Sequence, residues 1–375
     1  GDVYKRQILF YLKKTSVHSK INLLYAYLSR EKNMSKEESK MLQGISVLAM
    51  VCLHLFDNLN YSDLFTPLIM LKGYPLIFYF AQLSDFCVMG FAFCSGYAHM
   101  KLFRQKNYYK RRLISLLSLY CNFWIILLLF TLISVATGQA DFMPGDFVKF
   151  LKTFTTVSVS YNGAWWYMSV YAVIVFISPI VLKATEKMNS IAVLMISFAI
   201  YCGGYLLRFK YGTPYEAINW FGPFGTTFFE YIIGVVCCKE RFFEKLERAA
   251  TKVKPIWRYV ISTAVFVAML LGHTLVVRSL VIAPLTGFLI ICIFKFCPRL
   301  RPVDKVFGFF GTHSTNIWFT HMFFYLVLFP KLVYRAEYPI PIFLFMLAIC
   351  VAVSYVINLI YYPINKQVRK LENLL

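Results

Sequence analysis

The chain of 375 residues is 59% hydrophobic, 18% aromatic and only 15% charged, with a formal net charge of +21. A soluble domain of that length needs more polar surface to cover its core, so the composition excludes an ordinary soluble globular protein and indicates a protein solvated by lipid. The basic excess does not mark a nucleic-acid binder, because Lys and Arg alternate with long apolar runs instead of forming one patch, and nucleic acid is not an expected partner.

Residues 1–33, opening on "GDVYKRQ", read as a non-native or peripheral extension: either translated adapter sequence ahead of Met34, or an interfacial amphipathic helix over Ile8–Leu28. Residues 34–375 read as a single transmembrane domain. Apolar runs near the length that crosses a bilayer, about 17–25 residues, fall at Met41–Phe56, Leu76–Tyr97, Leu113–Thr137, Ala164–Ala184, Ile191–Leu207, Ile218–Cys238, Ile256–His273, Leu275–Cys297, Phe309–Phe329 and Ile340–Tyr362. The seventh and eighth nearly touch, so Arg278 belongs to a turn or snorkels to an interface. With the N-terminus inside, 31 of the 39 basic residues fall in cytoplasmic segments and eight in outer loops, the bias that sets topology. The expected fold class is therefore all-α: a polytopic membrane helix bundle of about ten transmembrane helices, both termini cytoplasmic, in the plasma or inner membrane. The ten cysteines lie in or beside apolar runs and read as small buried hydrophobes. None has zinc-ligand spacing near histidines, and no metal is expected.

Within these spans a few polar residues stand out. "LQGISVLAMVCLH", Leu42–His54, places His54 eleven residues past Gln43, about 16 Å deeper at 1.5 Å per residue and so near the middle of a hydrocarbon core about 30 Å thick. An imidazole there either ties two helices together or faces a polar path. His321, about 18 Å along the ninth run from Phe309, reaches a similar depth by the same rise. Asp85 and Glu230, inside the second and sixth runs, need a partner or a proton; they either orient an imidazole or tether helices. Trp165 and Trp166 begin the fourth run as an interfacial aromatic belt or as a stacking platform for a sugar.

The stretch Leu42–His54 resembles the first helix of the acyltransferase-3 family, multi-spanning membrane enzymes that transfer acyl groups, often acetyl, to sugars and cell-surface glycopolymers. "CVMGFAFCSGYAHMKLF" (Cys87–Phe103), "YYKRRLISLLSLY" (Tyr108–Tyr120), "NGAWWYMSVYAVIVFISPIV" (Asn162–Val181) and "STNIWFTHMFF" (Ser314–Phe324) are similar to later helices of that family, in the same order. Two positions depart from its pattern: Gln43 stands where the family carries Arg or Lys, and Ser115 where it often carries Arg. An amide donates a hydrogen bond but cannot neutralise an oxyanion as a cation does.

The resemblance implies an acyl-CoA donor, acetyl-CoA foremost, and a sugar or glycolipid hydroxyl as acceptor. Arg111 and Arg112, with Tyr109 beside them where the third helix leaves the cytoplasm, are the expected hold on the phosphates and adenine of coenzyme A. His54 is the expected catalytic residue, as general base or transient acyl carrier, with Gln43 or His321 for the oxyanion. Trp165, Trp166, Asp85 and Glu230 are the expected acceptor contacts. Two further classes stay open: a catalytically silent homologue serving as sensor or scaffold, which Gln43 and Ser115 favour, and a glycan or lipid transporter, which would more often show repeated halves.

Overall fold

A computed structural model of the protein describes residues 34–211, 216–276 and 280–374; residues 1–33 and Arg278 lie outside them. The described chain is almost entirely helical. In chain order the helices are α1 (Lys36–Phe56), α2 (Leu76–Leu83), α3 (Cys87–Leu102), α4 (Tyr108–Ala136), α5 (Phe147–Phe154), α6 (Trp166–Lys187) and α7 (Ser190–Leu206). There follow α8 (Glu216–Lys239), α9 (Phe242–Thr251), α10 (Pro255–Leu275), α11 (Ala283–Phe296), α12 (Arg301–Met322), α13 (Pro330–Tyr334) and α14 (Pro339–Lys370). A two-stranded hairpin, β1 (Met70–Leu71) with β2 (Tyr74–Pro75), turns through Lys72 and Gly73, both at positive φ as a tight hairpin requires.

Every expected span finds a helix, with two corrections. Among the described residues eight segments are long and apolar enough to cross a membrane: α1, α2 continued through α3, α4, the region opening on Gly163 with α6, α7, α8, α10 and α14. The eighth expected span, Leu275–Cys297, is instead the 14-residue α11, about 21 Å at 1.5 Å per residue and short of a full crossing. The ninth, expected over Phe309–Phe329, is the longer α12, whose polar residues exclude it on composition. Its His313, Ser314, Asn316, Thr320 and His321 are all buried, since a helix walled by other helices need not be apolar outward.

Small residues set the bundle's closest contacts, as expected where lipid offers no hydrophobic drive to association. A Cβ on Gly44 would lie 2.0 Å from the Phe307 carbonyl oxygen, and one on Gly311 would lie 1.9 Å from that of Lys40. These reciprocal approaches lock α1 against α12, two helices that run parallel. Gly96 and Gly234 do the same for α3 and α8, each with a backbone carbonyl about where its Cβ would be.

The described chain begins and ends at one face of the bundle. Lys101 Nζ donates to the Met34 carbonyl at 2.9 Å, joining the end of α3 to the start of α1. Ser118 Oγ donates to Asn365 Oδ1 at 2.5 Å, joining the start of α4 to the end of α14. That face also carries exposed Lys101, Arg104, Lys106, Lys110 and Arg111. Ser35 caps α1 there in a reciprocal box with Glu38.

Candidate active site

His54 and His321 meet. From the glycine lock, α1 and α12 each run ten residues further before presenting a histidine, and equal rise in parallel helices brings the two rings level. His54 Nδ1 lies 2.6 Å from His321 Nε2. The rings stack 3° from parallel, and the Tyr325 ring lies 6.3 Å from His54 and 6.1 Å from His321. His54 stands in the last turn of α1, two residues from its end and eighteen from its start. It therefore sits nearer the far end of its helix than midway, because α1 starts at Lys36, before the apolar run.

Hydrogen-bond logic assigns the tautomers. His321 Nδ1 lies 2.8 Å from the Trp318 carbonyl and 3.1 Å from that of Ile317, and carbonyls only accept, so this nitrogen carries the hydrogen. In a neutral ring its Nε2 then accepts from the Nδ1–H of His54. His54 Nε2 is left with its lone pair free.

His54 lines a cavity of about 160 Å³, together with Asp85, Glu230, Trp166, Tyr167, Arg208 and others. Two interruptions in the helices line it and a third lies behind His54. Asp85 lies in the 3₁₀ turn Ser84–Phe86 between α2 and α3, Arg208 in the π turn Leu207–Tyr211, and Tyr325 in the π turn Phe323–Val327 beside the histidines. Such breaks in helical regularity recur at functional sites. The Arg208 guanidinium lies 4.8 Å from the Trp166 ring centre. Asp85 Oδ1, Glu230 Oε2 and the Tyr167 hydroxyl are buried with no hydrogen-bond partner among the described residues. A buried polar atom left unpaired is costly, and three beside one cavity suit a ligand rich in hydroxyls.

A second cavity, of about 410 Å³, includes Gln43, Ser95, Asn122, Tyr171, Asn316 and Arg369 in its lining. Phe91, Tyr167 and Trp318 line both and form the septum, with the Tyr167 and Trp318 rings edge to face at 5.4 Å. The second cavity borders the basic face through Ser115 and Arg369.

The expected residues divide accordingly. His54, Asp85, Glu230 and Trp166 gather at the first cavity, with His321 behind His54. Gln43 lines the second, about 16 Å from His54 by helical rise, too far to serve an oxyanion at that ring. Tyr109 and Arg111 are exposed at the basic face, and Arg112 is half-buried with its Nε enclosed and unpaired. Trp165, only 1% exposed, donates its indole N–H to the Phe319 carbonyl at 3.0 Å and packs on Phe123 and Phe323. It braces the helix that carries His321 and offers no face to a sugar.

Sequence reasoning missed four residues. Arg208 counted as a loop charge. Tyr325 follows His321 by four residues, a spacing that could have placed it on the same face. Tyr167 was hidden by the tryptophans before it. Arg369 donates to Ser115 Oγ at 3.0 Å, bringing a guanidinium to the position where the resemblance expects one. Among the described residues no cluster of His, Cys, Asp and Glu could hold a metal ion.

A helical bundle long and apolar enough for many crossings, with an imidazole pair beside one of two adjoining cavities, defines a multi-pass membrane protein with a buried polar site. The chain belongs to the acyltransferase-3 family, matching its acyltransferase domain over residues 38–359. Neither a curated protein nor a solved structure matches it.

Proposed function

We propose that this membrane acyltransferase moves an acetyl group from acetyl-CoA to a sugar hydroxyl of a cell-surface polysaccharide or glycolipid, across the plasma or inner membrane. One observation carries the reading: His54, its Nε2 bare, lines a small cavity that holds Asp85, Glu230 and Arg208 and shares a wall with a larger one opening toward the basic face. Basic residues favour the cytoplasmic side, where coenzyme A is supplied. The donor then belongs to the second cavity, with Arg369 and Arg112 nearest its phosphates, and the acceptor to the first.

His54 Nε2 takes the proton of the acceptor hydroxyl as its oxygen attacks the thioester carbonyl. The His321 bond holds the ring, and the imidazolium formed shares its Nδ1 proton with His321 Nε2. The unpaired Tyr167 hydroxyl, in the septum, donates to the carbonyl oxygen as it gains charge. The C–S bond breaks, and the thiolate leaves with the proton from His54. In the acyl-carrier variant of this scheme Nε2 attacks first and the acceptor second. Coenzyme A itself need not cross, sparing the cost of charged phosphates in hydrocarbon.

The test is release of coenzyme A from acetyl-CoA by the purified protein in lipid nanodiscs, with and without simple glycosides. Turnover that falls in His54→Ala, while the variant elutes as folded protein, supports the assignment. Equal turnover in wild type and His54→Ala removes it, and no turnover in either favours the scaffold reading.

A further inference from the structure

Beside the first cavity runs a groove of a different character. It measures about 640 Å³ and lies between the α7–α8 hairpin and α11, bounded by Leu194, Met195, Phe198, Phe229, Ile233 and Leu285 among others. Its shape follows from glycine. Gly204 and Gly225 bring α7 and α8 together near the loop that joins them, each with the other's backbone about 3 Å from where its Cβ would be. From there toward the basic face larger side chains, Phe198, Phe229, Ile233 and Val236, hold the helices apart. The groove is open along its side, and Met195 and Leu285 are exposed there.

Groove and cavity adjoin, with Tyr201 as the wall between them. Tyr201 lines both, and Ala283 of the cavity adjoins Pro284 of the groove. Along α7 an aromatic row links them: Phe198 stacks on Tyr201 at 6.0 Å, Tyr201 on Tyr205 at 6.3 Å, and Tyr205 meets Phe209 at 5.0 Å. Phe198 belongs to the groove; Tyr205, Phe209 and the neighbouring Arg208 belong to the cavity. One end of this path is hydrocarbon and the other is charged.

We propose that the groove holds the hydrocarbon chain of a lipid-linked sugar, whose head enters the cavity at His54 from the side, through the membrane. The proposal rests on the acyltransferase reading and narrows its acceptor to a lipid-anchored glycan. A molecule that fills both spaces must be apolar at one end and rich in hydroxyls at the other. The groove runs from the cavity toward the basic face, the direction taken by the tail of a lipid whose head lies in the opposite leaflet. Each methylene raises the concentration of the acceptor in the bilayer by transfer from water, and within the bilayer the groove adds only packing contacts, so its contribution is the part of the chain-length effect that filling the groove removes.

The test compares methyl and dodecyl glycosides of one sugar as acceptors in nanodiscs, in wild type and in Met195→Trp and Leu194→Trp, which fill the groove. A trifluoromethyl-diazirine on the dodecyl chain maps contact by photocrosslinking. The expected result is a KM at least tenfold lower for the dodecyl than the methyl glycoside in wild type, a gap narrowed by either tryptophan, and crosslinks concentrated on α7, α8 and α11. Val267→Trp, on the exposed side of α10, leaves both KM values unchanged. Equal KM for the two glycosides, a gap that neither tryptophan narrows, or crosslinks spread evenly over the lipid-facing helices, overturns the proposal. So does a groove variant that alters preference between acetyl-CoA and long-chain acyl-CoA, which would assign the groove to the donor. If no glycoside is acylated, the acyltransferase reading fails; crosslinks still confined to the groove would then uphold the lipid site alone.

Discussion

The two polar cavities share a wall and little else. The larger, toward the basic face, is lined by amides and hydroxyls, with Arg369 as its charged residue. The smaller gathers Asp85, Glu230 and Arg208 around an imidazole. The larger space suits a long polar ligand with many modest hydrogen bonds, while the smaller concentrates charge in low dielectric, where each unpaired oxygen acts strongly. On the function proposed above, the donor lies on one side of Tyr167 and Trp318, and the acceptor and the chemistry on the other.

Substitutions can break that contrast. The largest effect is expected from His54→Ala: a fall in kcat of about 10²–10⁴-fold, the range for loss of a positioned base, measured as acetyl transfer with both substrates saturating. Tyr167→Phe keeps the ring and removes only the hydroxyl. It should lower kcat by up to about 10²–10³-fold, as loss of an oxyanion donor does, with both KM values nearly unchanged. Arg369→Gln should raise the KM for acetyl-CoA by about 10- to 150-fold, since a charge-assisted contact contributes about 1.5–3 kcal/mol, and leave the acceptor KM alone. Glu230→Gln should do the reverse. If either substitution moves both constants together, the two cavities act as one site. The smallest effect separates the adjacent tryptophans: Trp166→Leu should weaken acceptor binding a few-fold, whereas Trp165→Leu should lower thermal stability in detergent.

Much of this arrangement was legible in the sequence. Spans with one side basic follow from apolar run lengths and Lys/Arg placement, and the common depth of His54 and His321 follows from counting residues along two helices. Their direct contact was not legible, because it depends on α1 and α12 being neighbours, which the glycines decide in three dimensions. The burial of the polar residues of α12 was hidden for the same reason: sequence shows what a helix carries but not what surrounds it. Trp165 and Trp166 show the limit most plainly. Adjacent residues of one type diverge because a helix turns about 100° per residue, sending one ring into the core and the other to the cavity.

The glycine lock between α1 and α12 acts as a vernier for the reaction. If one helix slid a single residue past the other, its histidine would shift by about 1.5 Å and swing by about 100°, ending the 2.6 Å contact between the rings. A methyl group added at Gly44 or Gly311 meets backbone and cannot be absorbed by a side chain turning aside. Gly311→Ala, some 15 Å of helix from the nearest reacting atom, should therefore resemble an active-site lesion in its kinetics: misaligned imidazoles in a protein that still binds both substrates.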